Sequence, residues 1–261
     1  MSSPPGVLYL VPNTLDFGID GTPVDLRELL PLGAIRVAAR LEHWVCENAR
    51  TTRAFLKRVD AVVPLARSLQ EISIVELARP PKGRQTASTG PSRQAADITD
   101  LLAPARAGSD VGLLSEAGLA ALADPGASVV AAAHAAGIRV VALPGASSIA
   151  LAVAASGLNG QSFAFLGYLP VEAGARGARI RELEALSRRE RQTQVVIETP
   201  YRNQALLDAL VAHLQPGTSL AVSVGLTTEA ELTRSEPVSS WRSRPSRLPA
   251  DVPAVFSIQA R

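Results

Sequence analysis

Short runs of β-branched and other apolar residues alternate along the chain with segments of helical length that are rich in Ala and Leu. This alternation constrains the fold most, because strands connected through helices form parallel or mixed sheets that the helices cover. The clearer predicted strands are 7–11, 111–114, 139–143, 163–165, 194–197, 220–224 and 254–258, and two weaker ones are 36–39 and 44–46. Length and apolar spacing predict helices at 128–136, 147–157 and 203–214. We therefore expect an α/β protein whose functional loops follow the carboxyl ends of its strands.

A chain of 261 residues is long enough for two domains of ordinary size. A Gly-containing turn ends the helix predicted before residue 158, so we place the domains at 1–158 and 159–261. Two segments break the alternation. Residues 79–96 contain turn formers and charges without an apolar period, which is typical either of a mobile lid near the acceptor side or of disorder without function. Residues 234–251 are rich in Ser, Pro and Arg.

Composition excludes several kinds of site. Cys46 is the only cysteine, which excludes an intramolecular disulfide and a zinc site built from cysteines. The three histidines have no ligand spacing, so we expect no metal. No apolar run reaches the roughly 18 residues of a membrane span, and the first residues lack signal-peptide order, so we expect a cytoplasmic protein without membrane contact. A net charge of +2 is too small to indicate nucleic-acid binding by itself.

Short motifs near the ends of predicted strands carry the functional information. They are Glu47-Asn-Ala-Arg50, Ser115-Glu-Ala-Gly118, Pro144-Gly-Ala-Ser-Ser148, Leu166-Gly-Tyr-Leu-Pro170 and Glu198-Thr-Pro-Tyr-Arg202. Glycines in such loops let the backbone approach a ligand, and serines at a helix start can face a carboxylate. In this order the motifs resemble the tetrapyrrole-methylase superfamily of S-adenosylmethionine (SAM) methyltransferases. Within it, the chain is most similar to the bacterial family that 2′-O-methylates a cytidine of small-subunit ribosomal RNA.

The resemblance implies two α/β domains with SAM in the cleft between them, a homodimer, and a metal-free SN2 transfer of the sulfonium methyl group. It assigns cofactor binding to Pro12, Ser115, Glu116, Ala117, Gly118, Ser147, Ser148, Tyr168, Pro200 and Leu226. Glu47 and Arg50 match a motif on the substrate side. A ribose hydroxyl would benefit from a general base, for which Glu47 and Glu198 are the available carboxylates. Each assignment has a structural alternative: Glu47 could pair with Arg50 or Arg53, Glu198 could pair with Arg202, and Ser147 could simply cap a helix.

Departures from the family pattern fall mainly at polar positions. Asn48 and Glu116 each stand in place of Asp, Ala120 in place of Pro, Leu166 in place of Glu, Tyr201 in place of His, and Val224-Gly-Leu-Thr-Thr228 in place of Arg-Glu-Leu-Thr-Lys. The last replacement removes three charges, although Glu231 is kept. Because ribose and phosphate recognition uses charge-assisted contacts, the sequence leaves the methyl acceptor undetermined.

Four further interpretations stay open. The chain could retain 2′-O-methylation of small-subunit ribosomal RNA, methylate a tetrapyrrole-like small molecule, or bind SAM in a regulatory role without catalysis. A dinucleotide-binding oxidoreductase is the most distant, since no Gly-x-Gly-x-x-Gly follows the first strand. Arginine clusters at 188–191 and 242–247 are either solvated surface or contacts to RNA phosphates.

Overall fold

The computed structural model describes residues 4–16, 24–77 and 98–261. The chain forms two compact units, Met1–Ala146 and Ser147–Arg261. The predicted α/β class is confirmed, since each unit combines one five-stranded sheet with helices. The lid predicted at 79–96 lies outside the described residues.

The first unit contains a parallel sheet in the strand order β3-β2-β4-β1-β5. Its described strands are β1 (Val7–Val11), β2 (His43–Cys46), β3 (Ser73–Glu76), β4 (Val111–Leu114) and β5 (Arg139–Ala142). Its helices are α1 (Leu26–Leu29), α2 (Leu32–Arg40), α3 (Ala49–Asp60), α4 (Ala103–Arg106) and α5 (Ala127–Ala135). Strand β4 is buried throughout, which explains its continuous apolar sequence.

The strand predicted at 36–39 is wrong, because these residues lie in helix α2. The helix buries Ala34, Ile35, Ala38 and Ala39, a spacing of one and three residues that forms a single helical stripe. Residues 36–39 alone fit a strand, and the helical period becomes visible only with the two apolar residues before them. The weaker strand at 44–46 is confirmed as part of β2.

All five strands of the first unit end at one edge of the sheet, which we call the first edge. The register aligns the last residues of neighbouring strands, Val11 with Leu114, Cys46 with Leu114, and Glu76 with Cys46. Because the strands are parallel, the loops that follow them meet at this edge.

The second unit contains a mixed sheet in the order β6-β7-β10-β8-β9. Its strands are β6 (Phe163–Tyr168), β7 (Thr193–Glu198), β8 (Ser219–Val224), β9 (Leu232–Pro237) and β10 (Ala254–Gln259). Its helices are α6 (Ser148–Ser156), α7 (Ala173–Glu190), α8 (Asn203–His213) and α9 (Val238–Ser243), with a 3-10 turn at Pro200–Arg202. Strands β6 and β7 are parallel and the remaining pairs are antiparallel.

Helix α6 belongs to the second unit, whereas the predicted boundary after residue 158 assigns it to the first domain. The helix packs on β8, β9 and β10. It buries Ile149, Ala152 and Val153, and the Ser156 carbonyl accepts a 2.6 Å hydrogen bond from the Ser235 hydroxyl of β9. These contacts with strands far along the chain carry no signal in the local sequence.

The second edge is the edge of the mixed sheet where β6, β7 and β8 end. Tyr168 pairs with Ile197, and Glu198 and Val224 both pair with Ala254 at the start of β10. The segment 234–251 is partly regular, since it contains the end of β9 and helix α9, which is anchored by buried Val238 and Trp241.

Among the residues that the structure describes, no helix combines the length and the apolar composition that a membrane crossing requires.

Candidate functional site

Asn13 joins two loops at the first edge. Its side-chain amide donates to the carbonyl oxygens of Ser115 and Glu116 at 3.1 and 2.9 Å, and its backbone N–H donates to the Gly118 carbonyl at 2.9 Å. Asn13 is buried, so these bonds are shielded from water. The sequence prediction did not include Asn13, because its role depends on a loop about a hundred residues away. Its position directly after a predicted strand was the one available signal.

The loop after β5 approaches the loop after β1 without space for a side chain. A Cβ atom added to Gly145 would lie 2.2 Å from the Cβ atom of Pro12. Glycine is therefore required at position 145 by contact with the protein itself. The structure thus brings Pro12, in the loop after β1, into contact with the loop after β5.

The loop from Ser115 to Gly126 is closed by a carboxylate. Asp124 accepts hydrogen bonds from the Ser115 hydroxyl and, at 2.6 Å, from the Gly126 backbone N–H. Within this loop, Ala121 and Ala123 both adopt a left-handed backbone conformation with a φ of 65°. Non-glycine residues in this region are uncommon, and such strain concentrates at functional sites.

Glu47 and Glu116, predicted on the substrate and cofactor sides, meet at the first edge. The Glu116 backbone N–H donates to the Glu47 carboxylate, and the Glu116 carboxylate accepts from the Asn48 side-chain amide, both at 3.3 Å. Glu76 lies beside them and accepts a 2.6 Å bond from the Ala49 N–H. This edge therefore brings three carboxylates together within one group of loops.

Asn48 also begins helix α3. Its side-chain oxygen accepts from the backbone N–H groups of Arg50 and Thr51 at 2.9 and 3.4 Å. Asn and Asp are equally good at this position, so the replacement of the family's Asp keeps the helix cap. Arg50 is exposed in the first turn, where a positive charge opposes the helix dipole. Its presence there therefore adds nothing to helix stability.

In the second unit, Ser147 acts as the cap of helix α6. Its hydroxyl oxygen accepts a 3.4 Å hydrogen bond from the Ala150 N–H, which is the structural alternative considered for this residue. Ser148 is the first residue of the helix and is partly exposed. Whether either serine contacts a cofactor stays a prediction.

The remaining predicted cofactor residues share the second edge. Tyr168 ends β6, Pro200 begins the 3-10 turn after β7, and Leu226 follows β8. Gly167 has a φ of +68°, and the register of β6 against β7 shifts between Phe165 and Tyr168. This bulge depends on the left-handed conformation that Gly adopts easily, and it sets the position of Tyr168.

Glu198 is engaged as a structural residue. Its side chain is buried, and one carboxylate oxygen accepts from the Thr199 N–H at 2.7 Å and from Arg202 Nη2 at 2.6 Å. The hydrogen bond from this carboxylate raises the pKa of Arg202 above its ordinary value. The pairing with Arg202 is the alternative considered for Glu198, and it leaves Glu47 as the more accessible candidate base.

The loop 224–231, where the family pattern has further charged residues, is closed by hydrogen bonds within itself. Thr228 donates to the Gly225 carbonyl at 2.6 Å, and the Thr227 N–H donates to the Glu231 carboxylate at 2.7 Å. Thr227 has a φ of +68°, a clear outlier for a β-branched residue. Glu231 therefore holds the loop rather than pointing at a substrate.

Among the described residues, no group of three or more His, Cys, Asp and Glu side chains is arranged to hold a metal ion.

Comparison with known families gives one match that covers most of the chain. The family model described as Tetrapyrrole (Corrin/Porphyrin) Methylases matches residues 21–240.

Curated relatives share one name. Ribosomal RNA small subunit methyltransferase I of Mesorhizobium japonicum is 30% identical over 214 residues, which is 82% of this chain and 64% of that protein. The protein of the same name from Halalkalibacterium halodurans is 29% identical over 206 residues, which is 79% of this chain and 60% of that protein. The chain thus spans less than two thirds of the length of these relatives.

Solved structures with the same fold include uroporphyrin-III-C-methyltransferase from Thermus thermophilus. It is 23% identical, with a TM-score of 0.52, over 97% of this chain and 92% of that chain. A structure of the Thermus thermophilus uroporphyrin-III C-methyltransferase with S-adenyl homocysteine is 21% identical, with a TM-score of 0.52, over 97% of both chains. At these identities the likeness establishes the fold.

Proposed function

The chain belongs to the tetrapyrrole (corrin/porphyrin) methylases, and on that basis we propose that it is a SAM-dependent methyltransferase. The observation that carries the proposal is the meeting of Pro12, the Ser115–Gly118 loop and Glu47 at the first edge, with Asn13 joining the loops. In parallel α/β sheets this edge is the usual position of a ligand.

The residues of the first edge fit SAM chemically. SAM carries positive charges on its sulfonium and amino groups, and Glu47, Glu76 and Glu116 supply negative charge within one group of loops. Gly118, with a φ of +71°, exposes backbone that a ligand can approach. We propose that Pro12 and the Ser115–Gly118 loop bind SAM, and that Ser147, Ser148, Tyr168, Pro200 and Leu226 contribute as the family pattern implies.

SAM bound at this edge would supply an activated methyl group: the acceptor oxygen would bond to the methyl carbon as the carbon–sulfur bond breaks, and S-adenosylhomocysteine would leave with the electron pair of that bond. The contribution of the chain is to hold both reactants in line, an effect that accounts for much of the rate of such transfers. We propose that Glu47 accepts the proton of an acceptor hydroxyl. Its carboxylate is oriented by the Glu116 N–H, and it precedes the exposed Arg50.

For the acceptor, we propose a ribose hydroxyl of small-subunit ribosomal RNA. The names of the curated relatives support this choice, and Arg50 provides an exposed positive charge for a phosphate next to Glu47. A tetrapyrrole-like small molecule is the second candidate, and SAM binding without transfer is the third. A homodimer in the cytoplasm completes the proposal, and sedimentation equilibrium tests the dimer.

The first experiment is isothermal titration of the protein with SAM and with S-adenosylhomocysteine, followed by transfer of radiolabelled methyl groups to small ribosomal subunits. Micromolar binding of one molecule per chain together with labelled RNA would support the whole proposal. Binding without labelling of RNA would overturn the acceptor alone. Binding of neither compound would overturn the methyltransferase assignment.

A further inference from the structure

Two exposed aromatic side chains stand at the second edge of a chain that has few aromatic residues. The chain contains five Phe, two Trp and three Tyr. Both Trp residues, Phe55 and Phe256 are buried. In contrast, Tyr201 is 73% exposed and Tyr168 is 57% exposed. Tyr168 ends β6 and Tyr201 follows the adjacent parallel strand β7. The two residues therefore belong to neighbouring loops on one edge.

Tyr201 is held in a rigid turn. Pro200, with its restricted φ, begins the 3-10 turn, and Arg202 ends it. The Arg202 guanidinium is fixed by Glu198 at 2.6 Å and by the Thr199 hydroxyl at 3.2 Å, and its central carbon lies 5.8 Å from the centre of the Tyr201 ring. The exposed ring thus stands beside an ion pair in which Glu198 is buried and Arg202 is partly exposed. Little conformational freedom remains to be lost when a ligand stacks on it.

We propose that Tyr201 is a stacking platform for a nucleobase in a single-stranded segment of the acceptor RNA. This inference rests on the proposed RNA acceptor. Flat aromatic rings beside an arginine are the common means by which proteins hold unpaired bases. The family motif has His where Tyr201 stands, so the replacement keeps a flat ring while it changes the hydrogen-bonding groups.

The chemistry of the turn favours a base over a phosphate. The charge of Arg202 is paired with Glu198 and its side chain is 27% exposed, whereas Tyr201 is 73% exposed, so the ring presents more surface than the cation. Stacking is tolerant of sequence because every base has an aromatic face. The platform would therefore add affinity for an unpaired strand without selecting one base strongly.

The test measures binding of a fluorescent single-stranded RNA oligonucleotide to the full chain and its variants. We expect Tyr201→Ala to weaken binding about tenfold and Tyr201→Phe to leave it unchanged, because Phe keeps the aromatic face. Phe163→Ala is the matched control, since Phe163 is a 42% exposed aromatic residue at the opposite end of β6, and its binding should equal that of the wild type. An oligonucleotide with abasic sites should bind the wild type and Tyr201→Ala equally.

Three results would overturn the inference. The first is equal RNA affinity of Tyr201→Ala and the wild type, and the second is a loss in Tyr201→Phe as large as in Tyr201→Ala. The third is conversion of a dimer to a monomer by Tyr201→Ala, which would assign the ring to a second copy of the chain. Titration of the same proteins with SAM separates the two proposals. If Tyr201→Ala binds SAM normally and binds RNA as tightly as the wild type, the platform is excluded and the methyltransferase proposal stands.

Discussion

Asn48 donates its side-chain amide to the Glu116 carboxylate at 3.3 Å, so two positions that depart from the family pattern contact each other. In the family both positions carry Asp. Glu116 reaches one methylene further, and an amide at position 48 avoids the repulsion between two carboxylates at this distance. The two replacements therefore compensate each other and need not indicate a lost site.

Restoring the acid at position 48 tests this compensation. We expect Asn48→Asp to lower the free energy of unfolding at pH 7 by about 0.5 kcal/mol through repulsion with Glu116, although the helix cap is kept. Adding Glu116→Gln should restore stability, because the new amide donates to Asp at position 48. Urea unfolding of the two single variants and the double variant measures the coupling. Equal stability of Asn48→Asp and the wild type would contradict it.

Glu47 and Glu198 should differ in methyl transfer. We expect Glu47→Gln to lower kcat by about 10²-fold or more while SAM affinity stays within a few-fold, as for the loss of a general base. Glu198→Gln should keep kcat and lower the melting temperature, because it removes the partner of Arg202. Single-turnover transfer with saturating RNA makes the comparison. A similar kcat loss in both variants would contradict the division of roles.

Arg191 ends helix α7 in a left-handed conformation with φ of 51°, where Gly is usual. We expect Arg191→Gly to raise the free energy of unfolding by about 0.5–1 kcal/mol, since Gly adopts this conformation without strain. Gly157 ends helix α6 with a φ of 67° and allows the reverse substitution. We expect Gly157→Ala to lower the free energy of unfolding by about 1 kcal/mol, because Ala is strained in this conformation. Urea unfolding measures both. A destabilised Arg191→Gly would show that the arginine side chain outweighs the strain.

The cap of helix α7 should make stability depend on pH. The backbone N–H groups of Ala175 and Gly174 donate to Glu172 at 2.6 and 2.7 Å and hold the pKa of its carboxyl below the ordinary 4.5. A carboxyl with a lower pKa in the folded state stabilises the protein above that ordinary pKa. The contribution is lost as the pH falls through 4.5 and below. Glu172→Gln should therefore be less stable than the wild type at pH 7, and the difference should shrink at pH 3. A constant difference would assign the effect to packing.

Much of the fold follows from local apolar runs, and the exceptions have physical causes. Strand β4 is buried on both faces, so its sequence is continuously apolar and its prediction is confirmed. Residues 36–39 were misassigned because a short window of Val and Ala fits a strand as well as a helix. The predicted boundary places helix α6 in the first domain, whereas the helix packs on strands more than sixty residues later, contacts that no local pattern signals.

The site was predictable where residues follow strands, and unpredictable where side chains reach across loops. Glu47, Pro12 and the Ser115–Gly118 loop could be placed at one edge from the parallel topology alone. The bridging amide of Asn13 could not, since its partners are fixed only by tertiary packing. For Glu198, the sequence left two roles open, and the 2.6 Å contact with Arg202 favours the structural one.

The division between Ala146 and Ser147 is crossed once by the chain. Each described strand pairs within its own unit, so a break at this peptide would interrupt neither sheet. A gene divided between the codons of Ala146 and Ser147 would specify two polypeptides, each containing all the strands of one sheet. The same junction is therefore a position at which recombination could exchange one unit without interrupting the sheet of the other.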